Sequence, residues 1–185
     1  METYVSMIRG INIGVKKVKM NKLEELYVSL DFKDVKTYIQ SGNVVFRSQY
    51  LDLSYLRELI ENKIEKVFGF DVKVLIRTEK ELEKVVEENP FKNEDFKHLY
   101  VTFLSDVPSK NLIKNLNHNI EVNMKNKLDK FYISKKEIYL FLPDGYGRTK
   151  LNNNFFEKKL RVSATTRNWR SVNKLVDIAN SVSMG

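Results

Sequence analysis

A chain of 185 residues, 42% hydrophobic and 30% charged, is long enough for one domain or two small lobes, with the composition of an ordinary globular fold. It has no cysteine, which excludes a disulfide framework, cysteine-ligated zinc and thiol chemistry. Its net charge is +8, with 17 cations against 9 anions from residue 89 onward and an even 15 against 15 before it; this asymmetry suits a polyanion partner, or reflects only a composition holding 24 Lys and 8 Arg.

Tyr4 to Ile8 is an apolar run that ends at Arg9-Gly10-Ile11-Asn12-Ile13-Gly14, the pattern of a strand entering a turn. A helix follows, with Asn21 as its N-cap, Glu24 reaching back, and Leu23, Leu26, Tyr27 and Leu30 as its apolar stripe. Val35 to Ile39 and Val44 to Arg47 read as two strands around Gln40-Ser41-Gly42-Asn43, where Gly42 supplies a positive φ. Leu53, Leu56, Ile60, Ile64 and Val67 mark a helix stopping near Gly69. Val72 to Arg77 is a further strand, and Thr78 with Glu81 caps a helix carrying Leu82, Val85 and Val86 before Pro90.

The second half repeats this order. Tyr100 to Leu104 reads as a strand, and Leu112, Ile113 and Leu116 as one face of a helix. Lys130 to Ile133 and Ile138 to Leu142 pair around Ser134-Lys135-Lys136. A helix then carries Leu151, Phe155 and Leu160, a short strand runs from Val162 to about Thr166, and Val172, Leu175, Val176 and Ala179 mark a trailing helix. The expected fold is therefore α+β: two ferredoxin-like βαββαβ lobes in tandem, each with a trailing helix. The first lobe spans 1–88 and the second 98–185, with 89–97 as connector. In such lobes the sheet order is 4-1-3-2, so loops distant in sequence meet. Arg9–Gly14 should lie beside Gln40–Asn43, and Asp144–Lys150 beside Thr166–Trp169.

Five motifs stand in order along the chain: Arg9-Gly10-Ile11-Asn12; Tyr38-Ile39-Gln40-Ser41-Gly42-Asn43-Val44; Asn89-Pro90-Phe91; Asp144-Gly145-Tyr146-Gly147-Arg148-Thr149-Lys150-Leu151; and Ala164-Thr165-Thr166-Arg167-Asn168-Trp169. Together they resemble the domain-of-unknown-function 1697 family of bacterial proteins. The resemblance implies a two-lobed α+β fold and implies no activity. One departure is visible, since the family has a glycine pair after the first motif where this chain has Gly14-Val15. An anion-cradling role for that first turn does not follow from the resemblance.

The second-lobe cluster carries the clearest chemistry. Gly145 and Gly147 let the backbone turn sharply before a helix, leaving amides for an anion, while Arg148, Lys150 and Arg167 supply cations. Arginine in a lysine-biased chain suggests a need for its planar fork. Asp144 offers an acceptor or a general base, Asn168 a polar contact, and Trp169 a ring to stack upon. The expectation is that Arg148 and Arg167 converge on one phosphate or carboxylate. The competing reading has Asp144 capping its own turn and pairing with Arg148, with Trp169 packed under the last helix. The loop is not a Walker A motif, because no Gly-Lys-Ser/Thr run is present.

The first-lobe cluster offers Arg9, Asn12, Gln40, Ser41 and Asn43. Asn12, Ser41 and Asn43 read best as residues that satisfy turn backbone. Ser41 lacks a nucleophile elbow, and neither His98 nor His118 lies in a motif, so no catalytic residue is assigned and catalysis stays open. No metal or cofactor is expected, because two isolated histidines and scattered carboxylates give no ligand spacing.

The functional expectation is a protein that binds an anionic small molecule at Asp144–Lys150 and Thr166–Trp169. No apolar run approaches the ~20 residues of a membrane span and Met1–Gly14 lacks a signal-peptide pattern, which gives a cytoplasmic protein with no membrane partner. The alternatives are a nucleic-acid-binding module, using the basic segment Lys110–Lys136, and a structural or interaction domain. The first lacks a ribonucleoprotein signature and has few aromatics on any one strand face.

Overall fold

The computed structural model describes residues 1–123 and 128–185, and side chains except those of 118–123. Lys125 and Lys127 of the basic segment, and the side chain of His118, therefore lie outside the described residues. The chain divides into two compact units: Met1–Glu87 together with Asn173–Gly185, and Glu88–Val172. Among the described residues it is an α+β fold with two four-stranded antiparallel sheets and six α-helices.

In the first unit, β1 (Glu2–Arg9), α1 (Met20–Val28), β2 (Lys33–Tyr38), β3 (Asn43–Ser48), α2 (Leu53–Phe68) and β4 (Lys73–Thr78) build a sheet of order β2-β3-β1-β4. The central strand β1 is antiparallel to both neighbours, with Val5 opposite Val45 on one side and Arg77 on the other. Strand alternation then sorts the side chains. Tyr4, Ile8, Val44, Phe46, Val74 and Ile76 pack under α1 and α2 with Leu23, Leu26, Leu56, Ile60 and Ile64. Within this apolar layer the Ser6 and Tyr27 hydroxyls bond each other at 2.8 Å, and Ser6 also donates to the Val44 carbonyl. Burial pushes the Tyr27 pKa up, so the phenol stays neutral.

Of the two expected caps one is made and one is not, and α2 has a cap that was not expected. The Asp52 side chain accepts from Ser54 and Tyr55 amides at the start of α2. Thr78 and Glu81 form a reciprocal capping box at the start of α3 (Glu79–Glu87), with bonds of 2.9 and 3.2 Å. The expected cap at Asn21 is not made. Helix α1 begins at Met20 with Lys19 in the extended flanking position, and no side chain caps it.

The second unit runs β5 (Leu99–Leu104), α4 (Lys110–Asn123), β6 (Lys130–Ser134), β7 (Glu137–Phe141), α5 (Asn153–Leu160) and β8 (Ala164–Asn168), in sheet order β6-β7-β5-β8. Tyr100, Leu104, Ile138, Leu140 and Ala164 share one face and pack with Leu116, Phe156 and Leu160. Val101, Phe103, Tyr139, Thr165 and Arg167 lie on the other face, also buried. Helix α6 (Trp169–Ser183) follows β8.

The compact units depart from the expected split at 88 and 98. Residues 89–97 belong to the second unit, and Asn173–Gly185 to the first. The Ser183 hydroxyl lies within hydrogen-bond reach of the Thr3 hydroxyl (2.8 Å) and of the Glu79 carboxylate. Contact partners, not chain order, decide to which core a helix belongs, and the apolar stripe on α6 does not name its partner.

Gly42 is where the first unit is tightest. Its φ is +69°, and an added Cβ would collide with the Ile11 side chain, while Gly10, at φ +77°, has open space around it. Both substitutions strain the backbone but only one overpacks. Gly42→Ala is expected to lower the unfolding free energy by roughly 2–5 kcal/mol, and Gly10→Ala by only about 1–2 kcal/mol. Urea unfolding of the two variants side by side reads the difference; equal losses would show that Ile11 moves aside at no cost.

Candidate functional site

The two turns of the first-unit cluster do meet. The Ile8 amide donates to the Gly42 carbonyl at 3.0 Å, and Asn12 Nδ2 donates to the Gln40 carbonyl at 2.9 Å. Asn12 also accepts from the Val18 amide through Oδ1 at 2.8 Å. Its side chain therefore holds two backbone segments, at a φ of +57° that asparagine tolerates better than most residues. Asn43 donates to the Ser41 hydroxyl at 2.6 Å. Asn12 and Asn43 are thus spent on the backbone and turn geometry. Gln40 stands exposed, Ser41 and Arg9 are half-buried, and Asn43 is fully buried.

The loop between β7 and α5 also meets β8, as its place in the sheet requires. The contact is made by Tyr146. Its ring lies 5.6 Å from that of Tyr100, and its hydroxyl donates to Thr166 Oγ1 at 3.2 Å and accepts from the Asn153 amide at 3.0 Å. Thr166 in turn donates to Asn153 Oδ1 (2.6 Å) and shares a 2.7 Å bond with the Thr102 hydroxyl. Thr149 donates to the buried Asp129 carboxylate at 2.7 Å and accepts from the Leu151 amide. The hydroxyls of Tyr146, Thr149 and Thr166 are the ties that shape the loop.

Two expectations change as a result. The first concerns the backbone donors. Within the loop the Gly145 amide bonds the Leu142 carbonyl and the Arg148 amide bonds the Gly145 carbonyl. At the helix start the Asn153 amide goes to Tyr146 and the Phe155 amide to the Asn152 side chain. Two of the first amides of the helix are thus met by side chains, one from the loop and one from the N-cap residue.

The second correction concerns the two arginines. Strand β8 runs to Asn168, two residues past its expected end, so Arg167 sits inside the strand. Adjacent strand residues point to opposite faces. Thr166 faces the Tyr146 loop, and Arg167 faces the other side, 8% exposed, donating to Thr165 Oγ1 (2.7 Å) and to the Thr166 carbonyl (2.9 Å). Arg148 is exposed on the loop. The Arg167 guanidinium, engaged by Thr165 and Thr166 on the face away from Tyr146, is thereby set apart from the cluster around the Tyr146 hydroxyl.

The remaining expected residues fall as follows. Asp144 and Gly147 are exposed and Gly145 is half-buried with a φ of +80°. Asn168 is exposed and caps α6 by accepting from the Ser171 amide, and Trp169 is half-buried at the first position of that helix. Arg148 and Lys150 are exposed, and neither side chain makes a hydrogen bond or ion pair among the described residues. Tyr146 and Thr166 were missed as organising residues. The signal for them is a tyrosine between two loop glycines opposite a threonine-rich edge strand. Among the described residues no group of three or more His, Asp or Glu side chains is placed to hold a metal ion, and no helix is long and apolar enough to cross a membrane.

Comparison with known proteins gives a family and a fold. A family model described as "Protein of unknown function (DUF1697)" matches residues 1–139. That span holds the first-unit turns and Asn89-Pro90-Phe91, and ends before the β7–α5 loop. A solved structure of a conserved bacterial protein, SP0830, from Streptococcus pneumoniae is similar at 23% identity and a TM-score of 0.72, over 96% of this chain and 98% of that one. At that identity the likeness shows the fold. No curated protein matches the sequence.

The hydroxyl network generates a stability test. Tyr146→Phe leaves the Asn153 amide without its acceptor and Thr166 with the Thr102 hydroxyl as its one remaining donor, at a cost of about 1–3 kcal/mol. Thr166→Val should cost a similar amount, and the pair should lose less than the sum because the residues share one bond. Additive losses in a double-mutant cycle of chemical unfolding would show that the two hydroxyls act independently.

Proposed function

The chain belongs to the DUF1697 family, and we propose that it binds an anionic small molecule, bearing a phosphate or carboxylate, through Arg148 and Lys150. The observation that carries this reading is the contrast within one loop. Tyr146 and Thr149 are committed to holding its shape, while the side chains of two cations two residues apart stand exposed without a partner among the described residues. A fixed backbone lowers the entropic cost of presenting paired charges to a ligand. Arg148 supplies a planar fork for a bidentate contact and Lys150 a point charge. Asp144, Gly145, Gly147, Asn168 and Trp169 form the proposed rim, with Asp144 as acceptor for a ligand hydroxyl. Arg167 is left out of the ligand contacts.

The fold reading behind this site is that each unit is a ferredoxin-like split-βαβ repeat. What supports it is a correspondence of register. Val5 pairs with Arg77 and Val101 with Arg167, each arginine in the last strand opposite the central one. Each arginine also donates through Nη1 to the carbonyl of the residue before it, Ile76 or Thr166, at 2.9 Å.

A thermal-shift screen of inorganic phosphate, sugar phosphates, nucleotides and dicarboxylates tests the binding. One class should raise the melting temperature, by an amount equivalent to about 2.7 kcal/mol at a hundredfold excess over Kd. Arg148→Gln with Lys150→Gln should abolish that shift and leave the unliganded melting temperature within experimental error, because both side chains are exposed. A shift that persists in the double variant places the anion elsewhere.

A further inference from the structure

The first-unit turn after β1 carries a feature that the anion site does not use. Residues Asn12 to Lys16 form a small closed loop, joined by a 2.7 Å bond from the Asn12 amide to the Lys16 carbonyl. Its base is tied down further by side chains. The Asn12 side chain bonds the Val18 amide and the Gln40 carbonyl, and Lys16 Nζ donates to the Asp71 carbonyl at 2.6 Å. At the tip, Ile13 is 69% exposed and Val15 is 95% exposed. Gly10 and Gly14 have no heavy atom within 4 Å of where a Cβ would sit, so the tip stands clear of the body.

A scattered exposed aliphatic needs no explanation. Here the distribution is selective. Ile11 and Val18, which flank the tip, are buried in the core, whereas Ile13 and Val15 between them are held outward by a tied loop. Ile39, 51% exposed, lies on the neighbouring turn, next to the carbonyl-bearing Gln40 that Asn12 grips. Arg9, Lys16, Lys17 and Lys19 surround the tip in sequence, and residues 9–19 contain no carboxylate. Lys16 is shared with Asp71 at 3.8 Å and Lys17 Nζ donates to the Asn12 carbonyl at 3.3 Å, while the Lys19 side chain is exposed and has no partner among the described residues.

We infer that this loop is a docking element for an anionic lipid surface, with Ile13 and Val15 entering the headgroup–acyl boundary and the lysines meeting the headgroups. A projecting tip has no concavity for a small molecule. Residues 9–19 have no aromatic side chain on which a base could stack. A deformable anionic layer with apolar material beneath it complements both the charge and the shape. The expectation of no membrane partner rested on the lack of a spanning segment, and peripheral docking needs none. Two aliphatic side chains and a few cations give weak, reversible attachment that fades as salt screens the charges.

Co-sedimentation of the full chain with large vesicles tests this. Vesicles of phosphatidylcholine with about a third phosphatidylglycerol should retain the protein at low salt, and pure phosphatidylcholine vesicles should not. Val15→Asp and Ile13→Asp should each weaken retention by about tenfold or more, since each places a charge among anionic headgroups. The same change at the exposed Val107, Val107→Asp, serves as control and should have no comparable effect. Unchanged melting temperatures establish that the variants fold. Absence of retention on the anionic vesicles overturns the inference, as does retention lost equally with Val107→Asp. Retardation of RNA that Val15→Asp abolishes, without vesicle binding, assigns the loop to nucleic acid instead. Because these readouts do not involve Arg148 or Lys150, failure here leaves the anion site untouched.

Discussion

Each unit depends on a first strand that is hydrogen-bonded along both edges. β1 lies between β3 and β4, and β5 between β7 and β8, antiparallel on every side. A central antiparallel strand leaves no free ladder and fixes its neighbours' direction, so the turns at its two ends are determined together. That is why Arg9–Gly14 meets the turn before β3, and why the β7–α5 loop meets the end of β8. The side-chain ties at those places refine a proximity that backbone pairing has already imposed.

Polar motif residues in such a fold have two employers, and the structure separates them. Asn12, Asn43, Tyr146 and Thr149 are consumed by turns and loops, where an unpaired backbone amide would be costly. Arg148 and Lys150, on the same loop as Tyr146 and Thr149, have no such side-chain task among the described residues. Lysine and arginine carry no acceptor for an unpaired amide, whereas hydroxyls and carboxamides do. This sorting is what turns a cluster of suggestive residues into a short list with a chemical reason attached to each member.

Much of the fold was legible because period and capping speak locally. The strand–helix order, the Thr78–Glu81 box and the positive φ of Gly42 all follow from residues within a few positions of one another. The site was less legible for a reason of parity. Extending β8 from Thr166 to Asn168 turns Arg167 from a loop residue into a strand residue, and alternation then sends it away from Thr166. An error of two residues at a strand end, trivial for the fold, decides which side of the sheet a charge occupies. Helix α6 failed differently: its apolar stripe shows that it packs but carries no information on which core receives it.

That helix has a consequence for synthesis. The compact unit that opens with β1 is completed by Asn173–Gly185, where Ser183 reaches Thr3 across 180 positions of sequence. Glu88–Val172, by contrast, is one uninterrupted segment. On the ribosome, at about 5–20 residues per second, the interior segment is fully supplied while the surrounding one still waits for its closing piece. The order in which the two cores can be finished is therefore the reverse of the order in which they are begun.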